Sequence, residues 1–187
     1  MATINDLKKD AETRMKKCVD ALKTDLQKVR TGRATGALLD HLRVDYYGSP
    51  TPISQVAAIA VTDARTITLT PWEKNMVGPV EKAIMTSDLG LTPNTAGQVI
   101  RIIIPALTEQ RRKELAKVVS HEGENAKVAI RNVRRDANQH VKDLLKNKQI
   151  TEDEEKKSEE DIQKLTDKYV KEVDVVVKHK EEELMQL

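Results

Sequence analysis

Apolar and small side chains recur near the start of the chain at steps of three and four: Ile4, Leu7, Ala11, Met15, Cys18, Leu22, Leu26 and Val29. That spacing draws one stripe down a helix and predicts a helical segment from Thr3 to about Arg30. A second stripe runs Leu115, Val119, Ala126, Ala129, Val133, Ala137, Val141 and Leu144, with Glu122 interrupting it. It predicts a helix from Thr108 to about Asn147, a rod of roughly 60 Å at about 1.5 Å per residue. Thr151-Glu152-Asp153-Glu154 has the form of a capping box and opens a third helix, whose stripe includes Ile162, Leu165, Tyr169, Val173 and Val176. Only a few residues around Lys148 to Ile150 join the last two helices, so these should run antiparallel, with the first completing a three-helix bundle.

Between the helical flanks the pattern changes period. Leu42 to Tyr47 and Arg65 to Thr70 alternate with β-branched residues, and Val99 to Ile104 is an aliphatic run interrupted by Arg101. A short helix is expected over Val77 to Ser87, with Ile84 inward and an end near Gly90. Gly48-Ser49-Pro50-Thr51-Pro52 reads as a turn. All six prolines and six of the seven glycines lie between Gly32 and Pro105, which marks the boundaries of an insertion. The fold class expected is therefore α+β: residues 1–30 plus 106–187 as a discontinuous helical bundle, and residues 31–105 as an inserted α/β domain. Two tethers join them, Thr31, Gly32 and Arg33 on one side and Ile104, Pro105 and Ala106 on the other, which makes a hinge geometrically possible.

Composition sharpens the core. Aromatics are 2% of the 187 residues and Phe is absent, so a Leu/Val/Ile/Ala helical core is favoured over a sandwich built on large rings. The longest clean apolar run, Val56 to Val61, is far too short to cross a bilayer, and the charged N-terminus has no signal-peptide character. With a single cysteine, Cys18, no internal disulfide can form. A cytoplasmic protein, without membrane partner and monomeric, is expected.

Charge is balanced overall, with 32 basic and 30 acidic side chains, yet unevenly placed. The chain through Arg30 carries 8 basic and 5 acidic residues, Ala106 to Lys148 carries 11 and 6, Gln149 to Leu187 carries 7 and 13, and the insertion 6 and 6. The second long helix is thus basic and the third acidic. At 100° per residue, Lys127, Arg134, Arg135, Asn138 and Lys142 fall within about 60° of Arg131, on the side away from the apolar stripe. Five cations share this sector over about 22 Å of axis, with Glu124 at its edge and no acidic partner inside it. One reading is that they pair with acids of the third helix. The other is that they bind a polyanion, because the planar guanidinium suits phosphate oxygens and stacks on unpaired bases. With few aromatics to stack on bases, shape and phosphate contacts would dominate. Arg30, Arg33, Arg111 and Arg112 form a second group where bundle and insertion join, open to either hinge packing or binding.

Enzyme chemistry finds little support. His41, His121, His140 and His179 lie on separate segments without zinc-ligand spacing, and Cys18 sits on an apolar stripe. No phosphate-binding glycine motif, nucleophile elbow or metalloprotease signature occurs, and acidic pairs such as Glu152/Asp153 fall on solvated helix ends. No metal, cofactor or catalytic residue is expected.

Several stretches together resemble the bacterial ribosome recycling factor family. They include Arg30-Thr31-Gly32-Arg33-Ala34, Tyr46-Tyr47-Gly48-Ser49-Pro50-Thr51-Pro52, Glu81-Lys82-Ala83-Ile84 and Ser87-Asp88-Leu89-Gly90-Leu91. Leu107-Thr108-Glu109-Gln110-Arg111-Arg112-Lys113, Arg131-Asn132-Val133-Arg134-Arg135-Asp136-Ala137-Asn138 and Gln163-Lys164-Leu165-Thr166-Asp167 continue the likeness, which covers essentially the whole chain. It implies an elongated, L-shaped molecule resembling transfer RNA in outline, with an antiparallel three-helix bundle, an inserted β/α/β domain and no catalytic activity. It implies binding to the large ribosomal subunit and its ribosomal RNA after termination, and subunit splitting with the GTPase elongation factor G. The family's ribosome-contacting arginines match Arg30, Arg131 and Arg134, with Arg111, Arg112 and Arg135 as companions. Gly36 stands where members often carry proline, which bears on the stiffness of the first tether. Two other classes stay in view: a helical adaptor or holdase with an idle basic stripe, and a hydrolase or transferase hidden in the insertion.

Overall fold

The computed structural model describes residues 2–29 and 33–186, which divide into two compact units: residues 2–29 with 109–186, and residues 33–108. The second boundary falls between Thr108 and Glu109, just beyond the composition break at Pro105. The helices are α1 (Ile4–Gln27), α2 (Val77–Met85), α3 (Glu109–Lys146) and α4 (Glu152–Met185), with α2 alone in the inserted unit.

In the helical unit the termini are set by local chemistry. Thr3 caps α1 and Thr151 caps α4, each exchanging hydrogen bonds with the residue three further on, Asp6 and Glu154. The chain leaves α3 through Lys148 at φ 56°, and the Gln149 and Lys148 amides donate to the Leu144 and Leu145 carbonyls. This is a Schellman closure with lysine where glycine is usual, and it turns α4 back antiparallel to α3. The first helix lies alongside both: Lys8 meets Asp161 of α4 at 2.5 Å, and Arg14 meets Asp136 of α3 at 3.0 Å.

The buried stripes follow the expected period with shifted members. Val19 is buried in α1 where Cys18 is only half-buried, and Ile130 is fully buried in α3 where Ala129 is half-buried. Leu165 and Val176 of α4 are half-buried, while Ser158 and Thr166 are buried with their hydroxyls donating to the Glu154 and Ile162 carbonyls. Those hydroxyls sit in the core because each bonds the carbonyl one turn back.

Glu122 does not break the stripe of α3. The buried position in that turn is Gly123, and a Cβ built there would stand 2.5 Å from Cγ2 of Val177 on α4. The glycine allows the two longest helices their close approach.

The inserted unit holds a two-stranded sheet, β1 (Arg43–Tyr46) with β2 (Ser49–Pro52), and a four-stranded antiparallel sheet. Its members are β3 (Ala57–Asp63), β4 (Thr66–Pro71), β5 (Pro93–Ala96) and β6 (Val99–Ile103), in the order β3-β4-β6-β5. The segment read as a turn at Gly48–Pro52 is instead mostly strand. Tyr47 and Gly48, at φ 49° and 84°, make the tight hairpin turn by themselves. The two prolines that suggested a turn lie in β2, which pairs on one side only and so tolerates missing donors. Arg101 does not interrupt β6; it is the outward position between buried Ile100 and Ile102. The short helix stops at Met85, before the expected Ser87, where the Thr86 hydroxyl donates to the Lys82 carbonyl. Ile84 points inward with Val80, against Leu39, Val44, Ile67, Leu69, Ile100 and Ile102.

Glu73 ties the hairpin to the rest of this unit, accepting from the hydroxyls of Tyr46 at 2.6 Å and Tyr47 at 2.7 Å. Those two donors hold its carboxyl below the usual value of 4.5. A depressed acid favours the fold above its unfolded pKa, and that contribution is lost as pH falls through the folded value. Acid titration of the inserted unit, followed by fluorescence of the sole tryptophan, Trp72, should therefore show a loss of stability below about pH 4.5 that Glu73→Gln flattens.

Gly123→Ala tests the helix seam. Helix propensity alone favours alanine by about 1 kcal/mol, and overpacking opposes it by about 1–3 kcal/mol. Thermal unfolding should show Gly123→Ala destabilised in the native background. In a Val177→Ala background the same change should stabilise; destabilisation there would show that the valine is not the obstacle.

Candidate nucleic-acid interface

The basic sector of α3 splits according to its distance from α4. Turning outward from the core, Arg134 and Lys127 come first, and both reach across the seam. Arg134 is half-buried, and its Nη1 donates to Oε1 of Gln163 at 3.0 Å. Gln163 is itself oriented by donating from Nε2 to Asp167 at 2.9 Å. Lys127 bridges Asp174 of α4 at 2.6 Å and Glu124 at 3.4 Å. The hydrogen bond to Asp174, ahead of the opposing effect of burial, raises its pKa above the ordinary lysine value. For Lys127, then, pairing with the third long helix is the correct reading, and the expectation that the sector has no acidic partner is wrong at this position. Sequence arithmetic missed this because it measured each side chain from the mean apolar direction, while α4 packs to one side of that direction.

Asn138 is half-buried on the same border, and its Oδ1 is enclosed without a hydrogen-bond partner among the described residues. Farther out, Arg131, Arg135 and Lys142 are exposed, with no ion pair among the described residues. Consecutive members rise about 6 and 10 Å along the axis. Val128, 51% exposed, lies one turn before Arg131 and adds an apolar contact to this outward row. What the structure leaves available is therefore three free cations, with Arg134 beside them held by an amide that does not neutralise it.

The second arginine group does not join this row. Arg111 and Arg112 lie about 30 Å back along α3, turned by about 160° and 100° from Arg131. Arg111 bridges Glu114 at 3.0 Å, and Arg112 is half-buried with Nε enclosed and unpartnered among the described residues. Arg33 is exposed; Arg30, Thr31 and Gly32 lie outside the described residues. Of the second tether, Ile104 is a correction: it is buried in the core of the inserted unit, and its amide donates to the Arg65 carbonyl at 2.7 Å. The irregular segment begins at Pro105 and Ala106, both exposed.

Burial of Cys18 pushes its thiol pKa up, away from the thiolate a nucleophile needs. Among the described residues no group of three or more His, Cys, Asp or Glu side chains is placed to hold a metal ion, and no helix is long and apolar enough to cross a membrane. An open recess lies at the end of the helical bundle, lined by Thr3, Ile4, Leu144, Ile150 and Ser158. It is not in the insertion, and its Ser158 hydroxyl is committed to a backbone carbonyl.

Residues 22–185 match the family model described as "Ribosome recycling factor". A protein named ribosome-recycling factor from Legionella pneumophila strain Corby is 61% identical over 184 residues, covering 98% of this chain and 100% of its own. One of the same name from Nitrosospira multiformis is 62% identical over 182 residues, covering 97% and 98%. Among solved structures, a solution structure of the ribosome recycling factor aligns with TM-score 0.74 at 41% identity, covering all of both chains. A second, from models of the T. thermophilus ribosome recycling factor and E. coli elongation factor G bound to the E. coli post-termination complex, aligns with TM-score 0.62 at 42% identity. It covers 98% of this chain and 99% of its own.

Proposed function

The chain belongs to the ribosome recycling factor family, and on that premise we propose that it binds the post-termination ribosome and, with elongation factor G and GTP, separates the subunits. It is a non-enzymatic translation factor acting in the cytoplasm. Free energy for separation comes from the partner's GTP. What carries the proposal is the near-complete coverage by a relative described on a post-termination complex with elongation factor G.

Within that reading, Arg131, Arg135 and Lys142 meet phosphates of large-subunit ribosomal RNA, and Arg134 presents the remaining donors of its guanidinium beside them. Asn138 supplies a polar edge to the same contact. Lys127 braces the seam, with its charge already matched by Asp174 and Glu124. Arg30, Arg111 and Arg112 act near the join between the units. The favouring observation is that the outward row lacks internal partners among the described residues, so binding breaks no ion pair there.

Binding of wild type and an Arg131→Ala/Arg134→Ala variant to purified large subunits across a salt series tests this interface. The variant should bind more weakly and with a shallower slope, by about 0.7–0.9 per lost phosphate contact. Unchanged affinity and slope would refute the anchoring role.

The tethers, Thr31 to Arg33 and Pro105 to Thr108, serve as a hinge about which the inserted unit moves when elongation factor G acts. Rigidifying both should leave large-subunit binding intact and abolish subunit splitting in a polysome breakdown assay. Splitting at the wild-type rate would show that no hinge motion is needed.

A further inference from the structure

Helix α4 carries more acids than bases, yet its middle is sorted by direction. From Ile162 to Lys180 it holds five lysines and three acids, Asp167, Glu172 and Asp174. Asp174 is bonded to Lys127 and Asp167 to Gln163, both along the α3 seam, while Glu172 lies half-buried toward the other flank. Four of the lysines turn outward beside that seam: Lys164, Lys168, Lys171 and Lys178 fall within about 80° of one another, on the side of α4 away from its buried Ile162, Tyr169 and Val173, with Asp167 about 20° beyond Lys178 at the seam edge. Lys168 is held by Glu12 at 3.6 Å and lies over the Tyr169 ring. The other three are exposed and have no ion pair among the described residues. They span about 21 Å of helix, with Val175, 68% exposed, between the last two. Glu160 and Glu182 close the two ends of this sector, and no acid lies inside it.

We propose that Lys164, Lys171 and Lys178 form a second phosphate-contacting ridge, so that α3 and α4 together grip the two backbones of a duplex RNA segment. The proposal rests on the reading of the outward row of α3 as an RNA contact. The two ridges border the same seam, marked by Arg134 with Gln163 and Lys127 with Asp174. They run antiparallel on helices whose axes in such packing lie about 8–10 Å apart. Paired cationic rows on adjacent helices suit the two phosphate strands that flank one RNA groove. At the seam between them Asp174 is matched by Lys127 and Asp167 holds Gln163, so the unpaired cations that meet phosphate are those of the two rows, with Arg134 beside them. The ridge has no exposed ring to stack on a base, so it reads backbone and shape and not sequence.

The test compares three variants with wild type: Lys164→Gln/Lys171→Gln/Lys178→Gln, the charge-matched control Lys9→Gln/Lys16→Gln/Lys23→Gln on α1, and Arg131→Ala/Arg134→Ala. Each is checked for wild-type helix content and melting, then titrated against purified large ribosomal subunits and against protein-free large-subunit RNA over a salt series. The ridge variant should bind both probes more weakly, with the log–log slope shallower by about 2, while the α1 control keeps the wild-type slope. A wild-type slope for the ridge variant overturns the proposal. So does an equal loss in the α1 control, which would mean general attraction, or a loss on subunits with none on bare RNA, which would mean an acidic protein partner. If the ridge variant weakens binding while Arg131→Ala/Arg134→Ala does not, the α3 reading fails and the two-row grip is overturned with it, leaving α4 as the RNA contact.

Discussion

The organisation of the helical unit depends on how closely α3 and α4 approach. Gly123 against Val177 sets that distance, and everything further along the seam is positioned by it. Small and branched residues would pack at many spacings. A glycine facing a valine at van der Waals limit admits one. Given that register, Lys127 falls opposite Asp174 and Arg134 opposite Gln163, while Arg131, Arg135 and Lys142 are carried past the seam into solvent. The same close approach therefore decides which cations are consumed internally and which are left for a partner.

This explains why one neutralised charge and one un-neutralised charge stand side by side. An aspartate at position 163 would match Arg134 as Asp174 matches Lys127, and the guanidinium would then face a phosphate only after giving up an ion pair. An amide acceptor orients the fork without lowering its charge, and Asp167 keeps that amide the right way round. Arginine tolerates this arrangement better than lysine would. Its five donors let one be used for orientation while the rest stay directed outward.

The fold was legible wherever burial imposes a period. Three stripes, one capping box and a short α3–α4 turn are all local signals, and they place the helices within a few residues. Errors came where a neighbour outside the stripe decides the outcome. Ala129 and Ile130 both fit a helical stripe, and only the position of α4 makes Ile130 the buried one. Glu122 looked like a break because glycine carries no hydropathy, although Gly123 is the buried position of that turn and leaves no room for a Cβ beside Val177. In the insertion, β2 was hidden because Pro50 and Pro52 signal a turn in any sequence, and only a one-sided pairing lets them lie in a strand. The candidate site shows the same division: helical arithmetic gathers Arg131, Arg134, Arg135, Asn138 and Lys142 on one side, but it could not say that Lys127 is spoken for, or that Ile104 belongs to a core.

Net charge misled for a related reason. A sum over α4 is negative because its acids crowd the two ends, where the first turn alone carries Glu152, Asp153, Glu154 and Glu155. Those residues complement the helix N-terminus, whose exposed amides favour negative charge. In the middle, Asp174 turned toward α3 meets Lys127 and Asp167 holds the Gln163 amide, while lysines turned outward meet water. Since screening in physiological salt cuts off beyond about 8 Å, a phosphate at Lys171 responds to the charges of its own sector far more than to acids at the helix ends about 15 Å or more away. The quantity that governs an encounter with a polyanion is thus the charge of a face, and on this bundle the faces of α3 and α4 that border one seam have the same sign.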